Sequence, residues 1–204
     1  MLKAALFSGG KDSVYAALTQ WPVDLFVTFI YEFPRPSPHL INLHKAVELA
    51  GALGVPLALL KVDRGKEFQQ EAEFLRRLGV DVIVAGDQAV EEHLRYMERL
   101  AGEVGASLKE PLWGLDPVEV LARELEELEF LVVGARELEA VCDYVDRRAA
   151  PSFLEKARRL GFDPIGERGE YHSLTVKVRR LGASISYRCL DVKRHQDYYI
   201  ALVA

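Results

Sequence analysis

The sequence predicts an α/β fold, a parallel sheet flanked by helices, followed by a smaller C-terminal α+β domain. Three observations predict it. Short apolar runs alternate with stretches of helical period through the first half of the chain, as in a sheet covered by helices. A glycine-rich turn stands at the exit of the first run, where open α/β sheets bind their ligands. In the tail the helical period gives way to two-residue alternation, the mark of strands.

Taken in order, residues 2–7 read as a strand buried on both faces, and residues 25–30, 57–62 and 80–85 repeat the pattern. Between them Leu40, Leu43, Val47 and Ala50 fall on one helical face, as do Phe68, Ala72 and Leu75. Val90, Leu94, Met97, Ala101 and Val104 mark another helix. Asp116 before Pro117, with Glu119 in the first turn, is a helix start, and Val118, Leu121, Leu125 and Leu128 form its buried side. Residues 130–133 make a further strand, and the charged, poorly patterned residues 136–150 a loop with a short helix. A helix over 153–160 stops at Gly161. Leu174, Val176 and Val178 alternate, as do Ile185, Tyr187 and Cys189, and residues 198–203 close the chain as a last strand. The change of character near residues 108–110 sets domains of residues 1–109 and 110–204.

A 50% hydrophobic content can fill a core, and a net charge of −5 disfavours a nucleic-acid-binding surface. The start of the chain has no secretory layout and no apolar stretch is long enough to cross a bilayer, so no membrane partner and a cytoplasmic location are expected. Cys142 and Cys189 lack metal-ligand spacing and read as two small buried hydrophobes, a disulfide being the minor reading.

The stretch "KAALFSGGKDSVYAAL" carries the chemistry. Gly9 and Gly10 permit φ values and close approaches that a Cβ blocks. Successive N–H groups of Ser8 to Ser13, with the first turn of the following helix, make an anion-binding concavity. Lys11 adds a positive charge, and Ser8 and Ser13 add hydroxyl donors. Asp12 is either a ligand for Mg²⁺ or a helix cap, capping being the commoner role for such a residue. The loop is a phosphate cradle, but not the Walker loop, whose first glycine stands further upstream.

S-G-G-K-D-S after a strand resembles the PP-loop of the N-type ATP pyrophosphatases. Four further landmarks resemble the diphthine–ammonia ligase (diphthamide synthase) family: "SPHLINLHKAVELAGALGVPL", "GDQAVEEHLRYMER", "EPLWGLD" and "GERGEYHSL". Val90, Glu92 and His93, and the stretch 137–149, depart from the family pattern. The resemblance implies a Rossmann-like sheet of the PP-loop, adenine nucleotide alpha hydrolase-like type. It also implies ATP, with Mg²⁺, cleaved between its α- and β-phosphates. The implied reaction adenylates the carboxylate of diphthine on translation elongation factor 2, and ammonia converts it to the amide. Elongation factor 2 and ammonium are then the partners, with homodimerisation left open.

On that resemblance Ser8, Gly9, Gly10, Lys11, Asp12, Ser13, Gly86 and Asp87 bind the nucleotide, and Lys11 steadies the leaving pyrophosphate. Asp87 contacts metal or ribose, or is a turn residue. Glu167 and Glu170 are catalytic carboxylates for a cation: ammonium, a trimethylammonium or Mg²⁺. Trp113, Gly169, Tyr171 and His172 are candidate substrate contacts, the aromatic faces suiting a quaternary ammonium and His172 a general base. Two other classes stay open. One is a PP-loop enzyme adenylating another substrate such as a tRNA base, against which the lack of paired catalytic cysteines counts. The other is a non-catalytic nucleotide-binding protein, which has no use for Glu167 and Glu170.

Overall fold

A computed structural model describes residues 1–32 and 36–204. Its first half is a five-stranded parallel sheet in the order β3-β2-β1-β4-β5, built from β1 (Leu2–Leu6), β2 (Leu25–Ile30), β3 (Leu57–Lys61), β4 (Val80–Val84) and β5 (Ser107–Lys109). The connecting helices are α1 (Lys11–Thr19), α2 (Pro38–Ile41), α3 (Leu43–Ala52), α4 (Glu67–Leu78) and α5 (Glu91–Val104). Because side chains alternate along a strand, neighbouring residues feed opposite faces. Ala4, Val27 and Ile83 join a cluster with α4 and α5, whereas Ala5, Phe26 and Val84 join one with α1 and α3.

The second half begins with α6 (Pro117–Glu127), whose Asp116 cap accepts from the Val118 and Glu119 amides at 3.0 Å each. It continues through β6 (Leu128–Ala135), β7 (Tyr144–Val145), α7 (Ala150–Leu160), β8 (Tyr171–Val178), β9 (Ala183–Ser184), β10 (Cys189–His195) and β11 (Tyr198–Val203). These strands pair antiparallel in the order β10-β11-β6-β8-β9, with β7 against β6. All eight residues of β6 are buried. The apolar cluster on the α1 and α3 side of the first sheet runs on without a break into this second sheet, through Leu112, Leu121, Phe130 and Leu174. That shared core brings β8 up against the glycine loop.

Several sequence expectations need correction. Cys142 and Cys189 are joined in a disulfide across 47 residues; the antiparallel sheet brings them together, and nothing in their spacing announces it. β3 is an edge strand with half-exposed residues, not one buried on both faces. Val47 and Val118 face solvent, and their helices instead bury Lys45 and Glu124, which pair with nearby charges. The short β5 edge strand and β10 carry too little apolar pattern to be read from sequence. Among the described residues no helix is long and apolar enough to cross a membrane.

Candidate active site

β1 ends and α1 begins over four residues, and the turn is built for close packing. Gly9 has φ +77, and a Cβ there would lie 2.9 Å from the Cβ of Ala46 on α3. The Gly9 carbonyl accepts from the Thr175 amide at 2.8 Å, so β8 hydrogen-bonds directly to the loop. Hydroxyls fix the rest. The Ser8 Oγ accepts from the Gly10 amide at 3.2 Å, Ser13 Oγ donates to the Gly10 carbonyl at 2.9 Å, and Ser173 Oγ accepts from the Lys11 amide at 3.0 Å. Beyond β4, Gly86 passes over the start of α1 so closely that a Cβ would meet the Asp12 carbonyl oxygen at 2.9 Å.

These loops wall a first cavity of about 390 Å³ at the carboxyl ends of β1, β2 and β4. Of the expected nucleotide contacts, Ser8, Gly10, Asp12, Ser13, Gly86 and Asp87 line it, together with Glu167, Gly169, Tyr171 and His172. Glu167 ties the two halves: its Oε1 accepts from the Gln88 and Ala89 amides at 3.0 and 3.1 Å. Burial pushes its pKa up, with the Asp12 and Asp87 charges adding to the rise against those amides.

Four expected residues stand elsewhere. Lys11 is fully buried and lines neither cavity; its ammonium turns inward to Asp12 Oδ1 at 2.5 Å and Glu124 Oε2 at 3.1 Å, 5.8 Å from the centre of the Tyr171 ring. Burial opposes its charge, but the two carboxylates more than offset that and hold the pKa above the ordinary lysine value. Asp12 therefore pairs with Lys11 and is not a helix cap, which falls to Gly10 without a side-chain bond. Glu170 is buried, accepts from the Arg168 amide at 3.1 Å and closes its own turn instead of facing the cavity. Trp113 lines neither cavity, its amide donating to the Glu110 carbonyl at 3.2 Å. Gly9 is packed beneath the loop. Tyr171 reaches the cavity wall, but its ring is core: it meets Phe153 edge to face and stacks on Phe162, and its hydroxyl donates to the Pro164 carbonyl at 2.8 Å.

A second cavity of about 630 Å³ opens beside the first and shares Ser8, Thr28, Phe29, Tyr31, His39, Gly169 and His172 with it. Its own walls are Pro36, Pro38, Leu40, Leu43 and Ile200, with Ser37, His195 and Tyr198. At the junction the His39 and His172 rings meet edge to face at 5.1 Å, and His172 Nδ1 lies 2.6 Å from the Tyr198 hydroxyl. Burial pushes His39 down to about 4. Burial, with His39 alongside, pushes His172 down to about 3. Both rings are neutral at ordinary pH and serve as hydrogen-bonding partners.

Sequence reasoning missed Glu124, Ser173, Tyr31 and Glu110. Glu124 had a signal, an acidic residue inside the apolar stripe of α6. Tyr31 donates to Glu71 at 2.8 Å, and Tyr96 donates to the other oxygen of that buried carboxylate at 2.8 Å. Glu110 sits near Asp87 and Glu167; burial first and the Asp87 charge second push it up to about 8.

The residues fit a nucleotide polyphosphate: a glycine loop on the start of α1, pressed on by Gly86 with no room for a side chain, hydroxyls from Ser8 and Ser13, and a volume within the usual range of ligand pockets. The cavity's acidic walls are the carboxylates Asp12, Asp87 and Glu167, with the Lys11 ammonium turned away. A polyanion there needs cations. Among the described residues no group of three or more metal-ligating side chains is gathered at one point.

A family model described as the diphthamide synthase N-terminal domain matches residues 1–108. No curated protein sequence matches the chain. A solved structure described as a predicted subunit of tRNA methyltransferase from Methanocaldococcus jannaschii is 15% identical, covering 88% of this chain and 98% of that one, with a TM-score of 0.46. That likeness is too loose to bear on activity.

Proposed function

The chain belongs to the diphthamide synthase N-terminal domain family, of the PP-loop ATP pyrophosphatase type, and from that premise we propose that it is an ATP-dependent amide ligase. Its substrates in this reading are ATP, ammonia and the carboxylate of diphthine on translation elongation factor 2. The observation that carries the reading is the first cavity, whose backbone-lined loop at the exit of β1 faces the carboxylates Asp12, Asp87 and Glu167.

The bond changes are as follows. A carboxylate oxygen of the acceptor attacks the α-phosphorus, the bond to the bridging oxygen breaks, and pyrophosphate leaves. Ammonia then attacks the acyl carbon, AMP departs with the carboxylate oxygen, and a proton is lost from nitrogen. No protein nucleophile is needed, so positioning and charge neutralisation supply the rate. The start of α1 at Asp12 and Ser13 and the Ser8 hydroxyl hold the phosphates, the Gly10 and Lys11 amides being spent on the Ser8 and Ser173 hydroxyls that shape the loop. Asp12, with Asp87 or Glu167, would hold Mg²⁺, which would supply positive charge against the phosphates. The His39–His172 junction is where the acceptor reaches the α-phosphate from the second cavity; the neutral histidines orient it there by hydrogen bonds, and the proton lost from nitrogen passes to water.

Purified protein with Mg²⁺ and ATP is expected to form AMP and pyrophosphate only when ammonium and diphthine-bearing elongation factor are both supplied. Formation of ADP and phosphate rejects this reading. AMP formation with tRNA in place of the factor would move the acceptor to the other class.

A further inference from the structure

Beneath the first cavity lies a charged group that the reaction above does not use. Glu124 on α6 and Lys11 on α1 are both 0% exposed, and the Glu124 Oε2 to Lys11 Nζ distance is 3.1 Å. The same ammonium reaches Asp12 Oδ1 at 2.5 Å, and the Asp12 side chain is 30% exposed on the cavity wall. The three groups make a relay from the protein interior to the site. Neither oxygen of Glu124 has a well-aligned hydrogen bond among the described residues, though the Asp12 carboxyl as well as the Lys11 ammonium lies against it. Burial first pushes its pKa well up, the Lys11 ammonium opposing and Asp12 adding to the rise. A buried carboxylate left that poorly satisfied costs stability, and the same space filled with apolar side chains is usually as stable or more so. Packing alone gives no reason for it. Leu121 and Leu125, both buried, anchor its helix so that it cannot turn outward.

An ammonium with a single carboxylate neighbour pairs with it fully, neutralising it and drawing it inward. A second carboxylate behind the ammonium shares that attraction and leaves the first with charge to offer outward. We propose that Glu124 is a positioning residue of the nucleotide site: through the Lys11 ammonium it sets the place and the available charge of the Asp12 carboxylate. The Tyr171 ring, 5.8 Å from Lys11 Nζ, closes the remaining side. Lys11 is then the middle of the relay and does not touch the phosphates. This inference rests on reading the first cavity as the nucleotide site.

The test uses the full chain and α,β-methylene-ATP, which cannot be cleaved between its first two phosphates, titrated calorimetrically with and without Mg²⁺. Glu124→Gln keeps the shape and removes the charge. It is expected to raise the Kd for the magnesium complex about tenfold, the scale set by groups that orient metal ligands, and to leave magnesium-free binding within about twofold. Equal weakening with and without Mg²⁺, or no weakening in either, overturns the inference while leaving the nucleotide site standing. If the unaltered protein fails to bind the nucleotide at all, the functional reading falls and takes the role at that site with it.

A thermal double-mutant cycle reads the relay without nucleotide. Lys11→Met is expected to lower Tm by leaving buried Glu124 without its ammonium, Glu124→Leu to lower it less because Lys11 keeps Asp12, and the double variant to recover most of the Lys11→Met loss. Additive losses would show that the two side chains are not coupled and would overturn the relay even where nucleotide binds. Should Glu124→Gln not fold, the thermal cycle decides alone, additive losses overturning the relay and recovery in the double variant supporting it.

Discussion

The two cavities share a border and differ in chemistry. The first has three carboxylates on its walls and bare backbone at its floor. Among the described residues the second has no aspartate, glutamate, lysine or arginine, only rings, prolines, aliphatic side chains and hydroxyls. A cavity of the first kind suits a polyanion brought in with cations, and one of the second suits the uncharged body of another molecule. The difference teaches that one pocket need not meet both demands. A reaction between a polyphosphate and an apolar-bodied acceptor is expected at the border, where His39 and His172 supply hydrogen bonds without adding charge.

The sharpest way to break that comparison is at Gly86. Gly86→Ala puts a Cβ against the backbone carbonyl of Asp12, with 2.9 Å between them before anything moves. The expected loss in AMP formation is on the order of 10²-fold, the cost of a reacting group displaced by about an ångström, with far-ultraviolet circular dichroism unchanged. Full activity would mean that Asp12 is not held where the first cavity needs it. A selective blow to the second cavity comes next. Leu40→Trp fills it from α2 and is expected to raise the acceptor KM about tenfold, as a bulkier wall does in an apolar pocket, while the ATP KM stays put. A rise in both would merge the cavities into one site.

Smaller effects come from pH, and they have opposite signs on the two sides. His39 and His172, held down to about 4 and about 3 from 6.5, take up protons more readily in the unfolded chain. Stability is therefore expected to fall as pH drops from 6.5 toward 4. Glu110 is pushed up from 4.5 to about 8, so the folded state binds its proton more tightly and stability falls as pH rises through that window. Urea midpoints across the range should show a flatter acid limb in His39→Gln and a flatter alkaline limb in Glu110→Gln. Unaltered limbs would put those side chains in contact with water.

Much of this was legible in the sequence, unevenly so. The parallel strands and the glycine turn are local patterns, and 25–30 and 198–203 match β2 and β11 to the residue. Ser8, Ser13, Asp12, Gly86 and Asp87 follow from their places at strand exits, whereas the cavity-lining Ser173 does not. What the sequence could not convey is depth. Lys11 reads as a cation for a phosphate because a loop lysine is normally solvated, yet Glu124, more than a hundred positions later, draws it inward. Glu170 reads as a site carboxylate until the turn closes on it, with its oxygen on the Arg168 amide. The disulfide and the two histidines at the junction are likewise meetings of distant segments, made by the second sheet folding against the first.

The most direct measurement is a crystal structure with Mg²⁺ and α,β-methylene-ATP. The expected density has the phosphates along residues 8–13, a cation beside Asp12, and Lys11 still between Asp12 and Glu124. A nucleotide seated in the second cavity would contradict the division between the two. A Lys11 ammonium swung out onto the phosphates, with Glu124 left alone beneath, would contradict the relay.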